Sequence, residues 1–174
     1  RAVAIDRRAR TVTTHDGRTW PYDALVLATG SAPFVPPIEG IDQQGVFVYR
    51  TVDDVAALRG WVADLASRGR PVRGAVIGGG LLGLEAAGAL QALDVHCTVL
   101  QVGTHLMPAQ VDLGGGELLR RLIQARGVAV RTDAVTTRLR PGRRGGVGRL
   151  DLADGGRLDV DVVVVAEGVT PRDE

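Results

Sequence analysis

The chain has 174 residues, enough for one large domain or two small ones around a buried core. Hydrophobic residues make up 45% and charged residues 24%, and 21 basic against 20 acidic residues leave a formal net charge of +1. This balance gives no overall field, so we expect neither a nucleic acid nor an anionic membrane as a partner. The single cysteine, Cys97, excludes an internal disulfide and a multi-cysteine metal site.

The sequence also contains no targeting or membrane signal. It lacks an apolar run of the roughly 18 residues that a membrane helix needs, and "RAVAIDRRAR" at its start lacks a secretory apolar core. We therefore expect a cytoplasmic location. Because the first residue is Arg1 rather than methionine, we also expect the sequence to be part of a longer protein.

The first thirty residues have the alternation and turn residues of β-strands. We predict strands at "AVAID", "RTVTT" and "RTW", an "HDG" turn, and a buried strand at "DALVLA". "SAPFVPPIEG" follows, and its prolines lack the N–H that a helix or a central strand requires. This segment therefore predicts a link between two domains.

A helical period begins in "TVDDVAALRGWVADLASRG", with Thr51 as the candidate N-cap. Next, "RGAVIGGG", "LLGLEAAGALQAL" and "VHCTVLQV" predict a strand, a helix and a strand that form one right-handed, parallel βαβ unit. We predict another helix at "GELLRRLIQARG", which would bury Leu118, Leu119, Leu122 and Ile123.

The last forty or so residues again read as strands. "VAVRT" predicts a third parallel strand, and residues 134–160 alternate like an antiparallel meander with turns at "RPGRRGG" and "ADGG". "DVVVVA" predicts the final strand. The basic "RPGRRGG" turn has no aromatic neighbour on which a base could stack, so we interpret it as a charged hairpin tip.

Gly78, Gly80 and Gly83 form a GxGxxG pattern between the predicted strand and the helix of the βαβ unit. Gly78 permits a tight turn, Gly80 lets the backbone approach a pyrophosphate, and Gly83 lets the helix pack closely on the strand. The N–H groups that open the helix would face the anion. The pattern therefore predicts a dinucleotide site, the alternative being a glycine turn without a ligand.

Two polar residues near this pattern have a functional and a structural interpretation. Gln101 ends the second strand, where an Asp or Glu normally binds the adenine ribose. Its amide lacks the charge that repels a 2′-phosphate, but no Arg follows at residues 102–105, which slightly favours NAD over NADP. The alternative for Gln101 is a structural role. Glu85 lies on the first turn of the predicted helix, where the dipole favours a carboxylate with or without a ligand.

We find no catalytic constellation and no metal site in the sequence. His96 and Cys97 are neighbours on a predicted strand, so their side chains point to opposite faces and cannot share a metal. Cys97 is expected to be a small core residue. We therefore predict no catalytic side chain.

One phrase occurs twice in the chain. "LVLATGSAP" at residues 25–33 returns 138 positions later as "VVVAEGVTP" at residues 163–171, which superposes Gly30 on Gly168. If the second copy closes a dinucleotide unit that starts at Gly78, the first copy should close another. The fingerprint of that unit would lie about 60 residues before the first residue of this sequence.

Together these segments resemble the FAD/NAD(P)-dependent pyridine nucleotide-disulfide oxidoreductase superfamily. "LVLATGSAPFVPPIEG" is similar to its signature after the first fold, "VIGGGLLGLE" to its NAD(P) fingerprint and "VVVVAEGVTP" to its second closing strand. "GGGLLGLEAAGAL" with "HLMPAQVDLGGGELLRRLIQARGVAVRT" most resembles the large subunits of assimilatory NAD(P)H nitrite reductases. The implied fold class is α/β: a three-layer Rossmann-like FAD/NAD(P)-binding fold with a parallel sheet and an antiparallel β-meander, plus part of a second such domain.

The resemblance also implies domains, cofactors and binding residues. Residues 1–48 would be the C-terminal part of an FAD-binding domain, residues 49–171 an NAD(P)-binding domain, and residues 172–174 the start of a return segment. Hydride would pass from NAD(P)H to an FAD shared with an upstream segment. The implied cofactor-binding residues are Ala28, Thr29, Gly30 and Ser31 for FAD, and Gly78, Gly79, Gly80, Leu81, Leu82, Gly83, Glu85, Gln101 and Gly168 for the dinucleotide.

Some features depart from the family pattern. Glu167 stands where an apolar or small residue is usual, and Arg172 stands where Asn is common. The upstream FAD fingerprint and the iron–sulfur and sirohaem cysteines are not in this sequence, so we expect it to bind nucleotide without completing a turnover. The alternatives are a rubredoxin- or ferredoxin-reductase-like flavoprotein and a non-catalytic dinucleotide-binding or redox-sensing domain, and the electron acceptor stays open.

Overall fold

The computed structural model describes residues 1–143 and 145–173. Arg144 of the predicted hairpin tip and Glu174 of the predicted return segment lie outside the described residues. The chain divides into two compact units, one of residues 1–31 with the chain from Pro171 onward, the other of Ala32–Thr170. The structural division thus falls at Ser31, whereas the assignment of residues 1–48 to an FAD-binding domain stays a prediction.

The first unit contains a three-stranded antiparallel sheet. Its strands are β1 (Ala2–Asp6), β2 (Thr11–Thr14) and β3 (Thr19–Pro21), paired in that order. The predicted buried strand at "DALVLA" is wrong, because residues 23–30 form no strand and Val26 is 85% exposed. No described strand pairs with this apolar run, so its backbone has no ladder partner and its side chains have no covering surface.

The remaining elements complete the chain. In order they are β4 (Ser31–Pro33), β5 (Val46–Val48), α1 (Val52–Ala66), β6 (Val72–Ile77), α2 (Leu81–Gln91), β7 (Val95–Leu100), α3 (Leu113–Ala125), β8 (Ala129–Arg131), β9 (Thr136–Pro141), β10 (Val147–Leu152), β11 (Arg157–Asp159), β12 (Val162–Val165) and β13 (Val169–Pro171).

A five-stranded parallel sheet forms the centre of the second unit, in the order β5, β12, β6, β7, β8. Strands β9, β10 and β11 form the predicted antiparallel meander. Along β12, Val162 and Val164 pack with the helices, whereas Val163 packs with the meander. Both faces of the sheet are therefore covered, which explains the unbroken apolar run and confirms the predicted three-layer α/β fold.

Helix α1 begins where the sequence predicts. The hydroxyl of Thr51 accepts a hydrogen bond from the N–H of Asp54 at 3.2 Å, and the Asp54 carboxylate accepts one from the N–H of Thr51 at 2.7 Å. This reciprocal capping box satisfies two N–H groups that the first helical turn would otherwise leave unpaired.

Helix α3 is less buried than its sequence predicts. Leu119 and Ile123 pack against the core, but Leu118 and Leu122 are 59% and 56% exposed, so their predicted burial is wrong. Residues four apart share one row of a helix, and only the Leu119 row meets the sheet. No helix in the described part of the chain is long and apolar enough to cross a membrane.

Candidate dinucleotide-binding site

The candidate site lies at the carboxyl edge of the parallel sheet. Strand β6 ends at Ile77, and Gly78, Gly79 and Gly80 turn the chain into α2. Strand β12 ends beside this turn, since the N–H of Ala166 donates to the carbonyl oxygen of Ile77 at 2.8 Å. Parallel α/β sheets bind their ligands at this edge.

Two of the glycines allow backbone to pack directly on backbone. Gly78 has φ +112°, and a Cβ there would lie 2.4 Å from the carbonyl oxygen of Ala166. A Cβ on Gly83 would lie 1.9 Å from the carbonyl oxygen of Gly78. No side chain fits at either position, so the tight turn and the close approach of the helix are both present in the structure, as the glycine spacing predicts.

The third glycine leaves the start of α2 open. Gly80 is the N-cap, it has no side chain to accept a hydrogen bond from the helix, and a Cβ there would meet no atom within 4 Å. Leu81 is 66% exposed, Leu82 is partly buried, and the first turn contains no acidic residue. N–H groups and the positive end of a helix dipole therefore face free space, an environment that fits a pyrophosphate.

Gln101 holds the glycine turn in place. Its side chain is buried, and its Oε1 accepts a hydrogen bond from the N–H of Gly79 at 2.7 Å. Its main chain is bonded on both sides, to Arg131 at 2.9 Å and to Ala134 at 3.0 Å. The structural role that the sequence left open is thus present, and contact of Gln101 with a ribose stays a prediction.

Glu85 lies in a shallow depression next to the start of α2. Since the helix begins at Leu81, Glu85 is its fifth residue, and the predicted place on the first turn is wrong. Glu85 is exposed and lines a depression of about 300 Å³ together with Leu82 and residues 49–52 and 55. The sequence did not single out Tyr49 or Arg50, because β5 before them was not predicted. The alternating "GVFVY" was the signal for that strand.

Glu167 and Gly168 follow β12 at the same edge. The main-chain nitrogen of Glu167 would lie 3.2 Å from a Cβ on Gly78, and burial raises the pKa of the Glu167 carboxyl. Gly168 is exposed with φ +122°, and its carbonyl oxygen accepts a hydrogen bond from the N–H of Phe34 at 2.9 Å. The backbone of Glu167 therefore lies close to the glycine turn, and its side chain is partly buried.

The residues predicted to lie against FAD are in the first unit. Ala28, Thr29 and Gly30 are exposed and Ser31 is partly buried. The hydroxyl of Thr29 donates a hydrogen bond to the carbonyl oxygen of Arg172. The N–H of Arg172 in turn donates to the carbonyl oxygen of Gly30 at 3.0 Å. Gly30 has φ +74° and nothing within 4 Å of a Cβ position. This open backbone fits a closely approaching cofactor, and its contact with FAD stays a prediction.

Among the described residues, the nucleophilic and metal-binding residue types form no second centre. Cys97 is 3% exposed, as predicted for a core residue, and burial raises the pKa of its thiol to about 12. Its neighbour His96 is exposed on the opposite face of β7. Within residues 1–143 and 145–173, no three His, Cys, Asp or Glu side chains group together as a metal site would require.

Known proteins are similar to this chain in both sequence and fold. The family model described as pyridine nucleotide-disulphide oxidoreductase matches residues 1–174. The large subunit of NADH nitrite reductase from Escherichia coli (strain K12) is 44% identical over 174 residues, which cover 100% of this chain and 20% of that protein. Rubredoxin-NAD(+) reductase from Pseudomonas putida is 31% identical over 170 residues, 98% of this chain and 42% of that protein.

A solved structure has the same architecture. The ferredoxin reductase for the CYP199A2 system from Rhodopseudomonas palustris has a TM-score of 0.83 at 28% identity, and the match covers 99% of this chain and 41% of that chain. The chain spans 20% of the nitrite reductase subunit and less than half of the two reductases.

Proposed function

Because the chain belongs to the pyridine nucleotide-disulphide oxidoreductase family, we propose that it is the NAD(P)H-binding portion of a flavin-dependent oxidoreductase of the nitrite reductase type. The observation that carries this proposal is the open start of α2, where Gly80 leaves helix N–H groups without a capping side chain. The 44% identity to a nitrite reductase subunit, against 31% to a rubredoxin reductase, favours the nitrite reductase type.

The residues of this chain would bind and orient the nucleotide. The N–H groups that open α2 hold the pyrophosphate, while Gly78 and Gly83 keep that end of the helix against the sheet edge. The depression beside Glu85 is the place for the nicotinamide end. Bound NAD(P)H supplies a hydride that FAD accepts. The protein needs orientation and exclusion of water for this step, and it needs no acid or base.

The surroundings of Gln101 bear on the choice of nucleotide. Its amide carries no charge that repels a 2′-phosphate, and no arginine follows at residues 102–105 to attract one. Its Oε1 is already bonded to the N–H of Gly79. We therefore propose that NADH and NADPH both bind, with a preference for NADH of less than about tenfold.

The variant Gly80→Asp tests the binding site without disturbing the fold. A Cβ at Gly80 meets nothing within 4 Å, and the extended backbone there (φ −82°, ψ −174°) suits an aspartate N-cap. The new carboxylate would accept hydrogen bonds from the helix N–H groups and would repel a diphosphate. Calorimetry should show NADH affinity reduced by about a hundredfold or more, with an unchanged or higher melting temperature.

The control is Gly80→Ala, which adds the Cβ without the charge. It should weaken NADH binding far less than Gly80→Asp does. Equal NADH affinity in the wild-type chain and the aspartate variant would contradict the proposed site. Hydride transfer is tested on the full-length protein by adding NADH without oxygen and following flavin absorbance. A flavin that stays oxidised while NADH binds would leave a nucleotide-sensing domain as the function.

A further inference from the structure

A second concave surface lies at the amino edge of the parallel sheet, opposite the glycine turn. It is a groove of about 720 Å³ formed by the end of α1, the start of β6, the residues just before β12, and the β9–β10 hairpin. The six residues of strand β6 separate the amino edge of the sheet from its carboxyl edge by about 20 Å. The groove is therefore separate from the candidate dinucleotide site. Among the described residues its walls carry six arginines, and we call it the arginine groove: Arg68, Arg70, Arg73, Arg140, Arg143 and Arg149.

Part of this charge is neutralised inside the protein. Asp161, only 7% exposed, pairs with Arg70 at 2.8 Å and with Arg73 at 3.3 Å. The other pairs are Arg73 with Asp159, Arg68 with Asp64, and both Arg140 and Arg149 with Asp151. Within the described part of the chain, four carboxylates thus face six guanidinium groups, which leaves an excess of two positive charges.

The paired arginines also keep donors for a ligand. Their side chains are 37–44% exposed, so each is held on one side by a carboxylate and open on the other. A guanidinium has five N–H donors, more than these carboxylates use. The ion pairs therefore orient the arginines towards the groove without using up their capacity to bind an anion.

An aromatic side chain gives the groove a fixed wall. Trp61 donates its indole N–H to the carbonyl oxygen of Asp161 at 2.9 Å. Its ring lies against Gly45 and Gly146, where a Cβ at either position would approach the indole to 2.9 Å. The groove thus has a rigid flat surface beside its cations, which suits a small molecule better than an extended chain.

We propose that the arginine groove is a second ligand site, which binds a small molecule with a di- or triphosphate group. Its volume lies in the range of small-molecule sites. Arginine binds phosphate through two parallel hydrogen bonds, and several guanidinium groups around one cavity match the several oxygens of a diphosphate. The ligand is free pyrophosphate or a nucleotide, and the two share this chemistry.

The test first saturates the candidate dinucleotide site of the chain with NADH, and then titrates inorganic pyrophosphate, and separately ADP, by calorimetry at constant ionic strength. The variant Arg68→Ala/Arg143→Ala removes two groove cations and leaves the pairs with Asp161 intact. It should weaken pyrophosphate binding by about tenfold or more. Arg7→Ala/Arg8→Ala, on an exposed turn of the first unit, removes the same charge and should change the affinity by less than about twofold.

Trp61 supplies an independent readout. The sequence has two tryptophans, so Trp20→Phe leaves Trp61 as the only one. Pyrophosphate should then change its fluorescence with the same midpoint as the calorimetric titration. If ADP binds more tightly than pyrophosphate, the ligand is a nucleotide that uses this wall; equal affinity indicates the free anion.

Four results would overturn the proposal. They are no heat with either ligand, equal weakening in both double variants, displacement of pyrophosphate by saturating NADH, and binding of an oligoglutamate peptide in place of pyrophosphate. If the double alanine variant does not fold, Arg143→Glu replaces it, because this turn residue takes no part in the pairs described above. Unchanged pyrophosphate affinity in that variant would also contradict the site.

Discussion

Gly83→Ala should disturb the candidate site more than its size suggests. The new Cβ would lie 1.9 Å from the carbonyl oxygen of Gly78, and ordinary contact begins at 3.4 Å, so the start of α2 must move by about 1.5 Å. Overpacking of this kind costs about 1–3 kcal/mol of unfolding free energy. In a chain of this length that corresponds to a melting temperature lower by about 3–10 °C. The displaced N–H groups should also weaken NADH binding by about tenfold.

Gly88→Ala is the matched control on the same helix. Gly88 is exposed, and a Cβ there meets nothing within 4 Å. Alanine forms helix more readily than glycine, so this variant should be as stable as the wild type or more stable by up to about 1 kcal/mol. Circular dichroism melts and NADH calorimetry compare the two. The reasoning is refuted if Gly83→Ala has the same melting temperature and the same NADH affinity as the wild type.

Three further variants address charge and hydrogen bonding. Gln101→Leu leaves the buried N–H of Gly79 without its acceptor, which should lower the free energy of unfolding in denaturant by about 1–3 kcal/mol. An unchanged free energy of unfolding would contradict a stabilising role of the hydrogen bond from Gly79 to Gln101. Burial raises the pKa of Asp161, but hydrogen bonds from Arg70 and neighbouring groups outweigh burial and hold that pKa below 3.8. This stabilisation is present above pH 3.8 and lost as the pH falls through the folded pKa, so Asp161→Asn should lower the melting temperature at pH 7 and progressively less in acid. Burial raises the pKa of Glu167 above 4.5, so ionisation of this carboxyl destabilises the fold as the pH rises. The variant Glu167→Gln should therefore raise the melting temperature at pH 7 but not below pH 4.5. Calorimetry should also show that this variant binds NADH about 2–5 times more tightly. Equal melting temperatures at pH 7 would contradict either carboxyl assignment.

Local patterns were sufficient for much of the fold. The N-cap at Thr51, the glycine spacing of Gly78 to Gly83 and the apolar run of β12 each depend on residues close together in the chain. Steric exclusion at a glycine and the 3.6-residue helical period act over a few residues, so their consequences can be predicted from the amino-acid sequence. The three-layer α/β class was implied by the resemblance of these segments to a known family.

Other features depend on partners distant in the chain. The apolar "DALVLA" run has the composition of a strand, yet no described strand pairs with it. Leu118 and Leu119 are adjacent and equally apolar, but only one of their two rows on α3 meets the sheet. Pairing and burial require a second surface, and a single segment does not indicate where that surface lies.

The sequence by itself therefore determined the class of fold, the glycine turn and the positions where no side chain fits. Only the tertiary structure decided that the Gln101 amide is bonded to Gly79 and that arginines from the connection between α1 and β6, from β6 and from the β9–β10 hairpin line one groove. The physical reason is range. Backbone geometry is set by near neighbours, whereas a hydrogen bond across 22 positions or a cluster of charges from four segments exists only after the chain has packed.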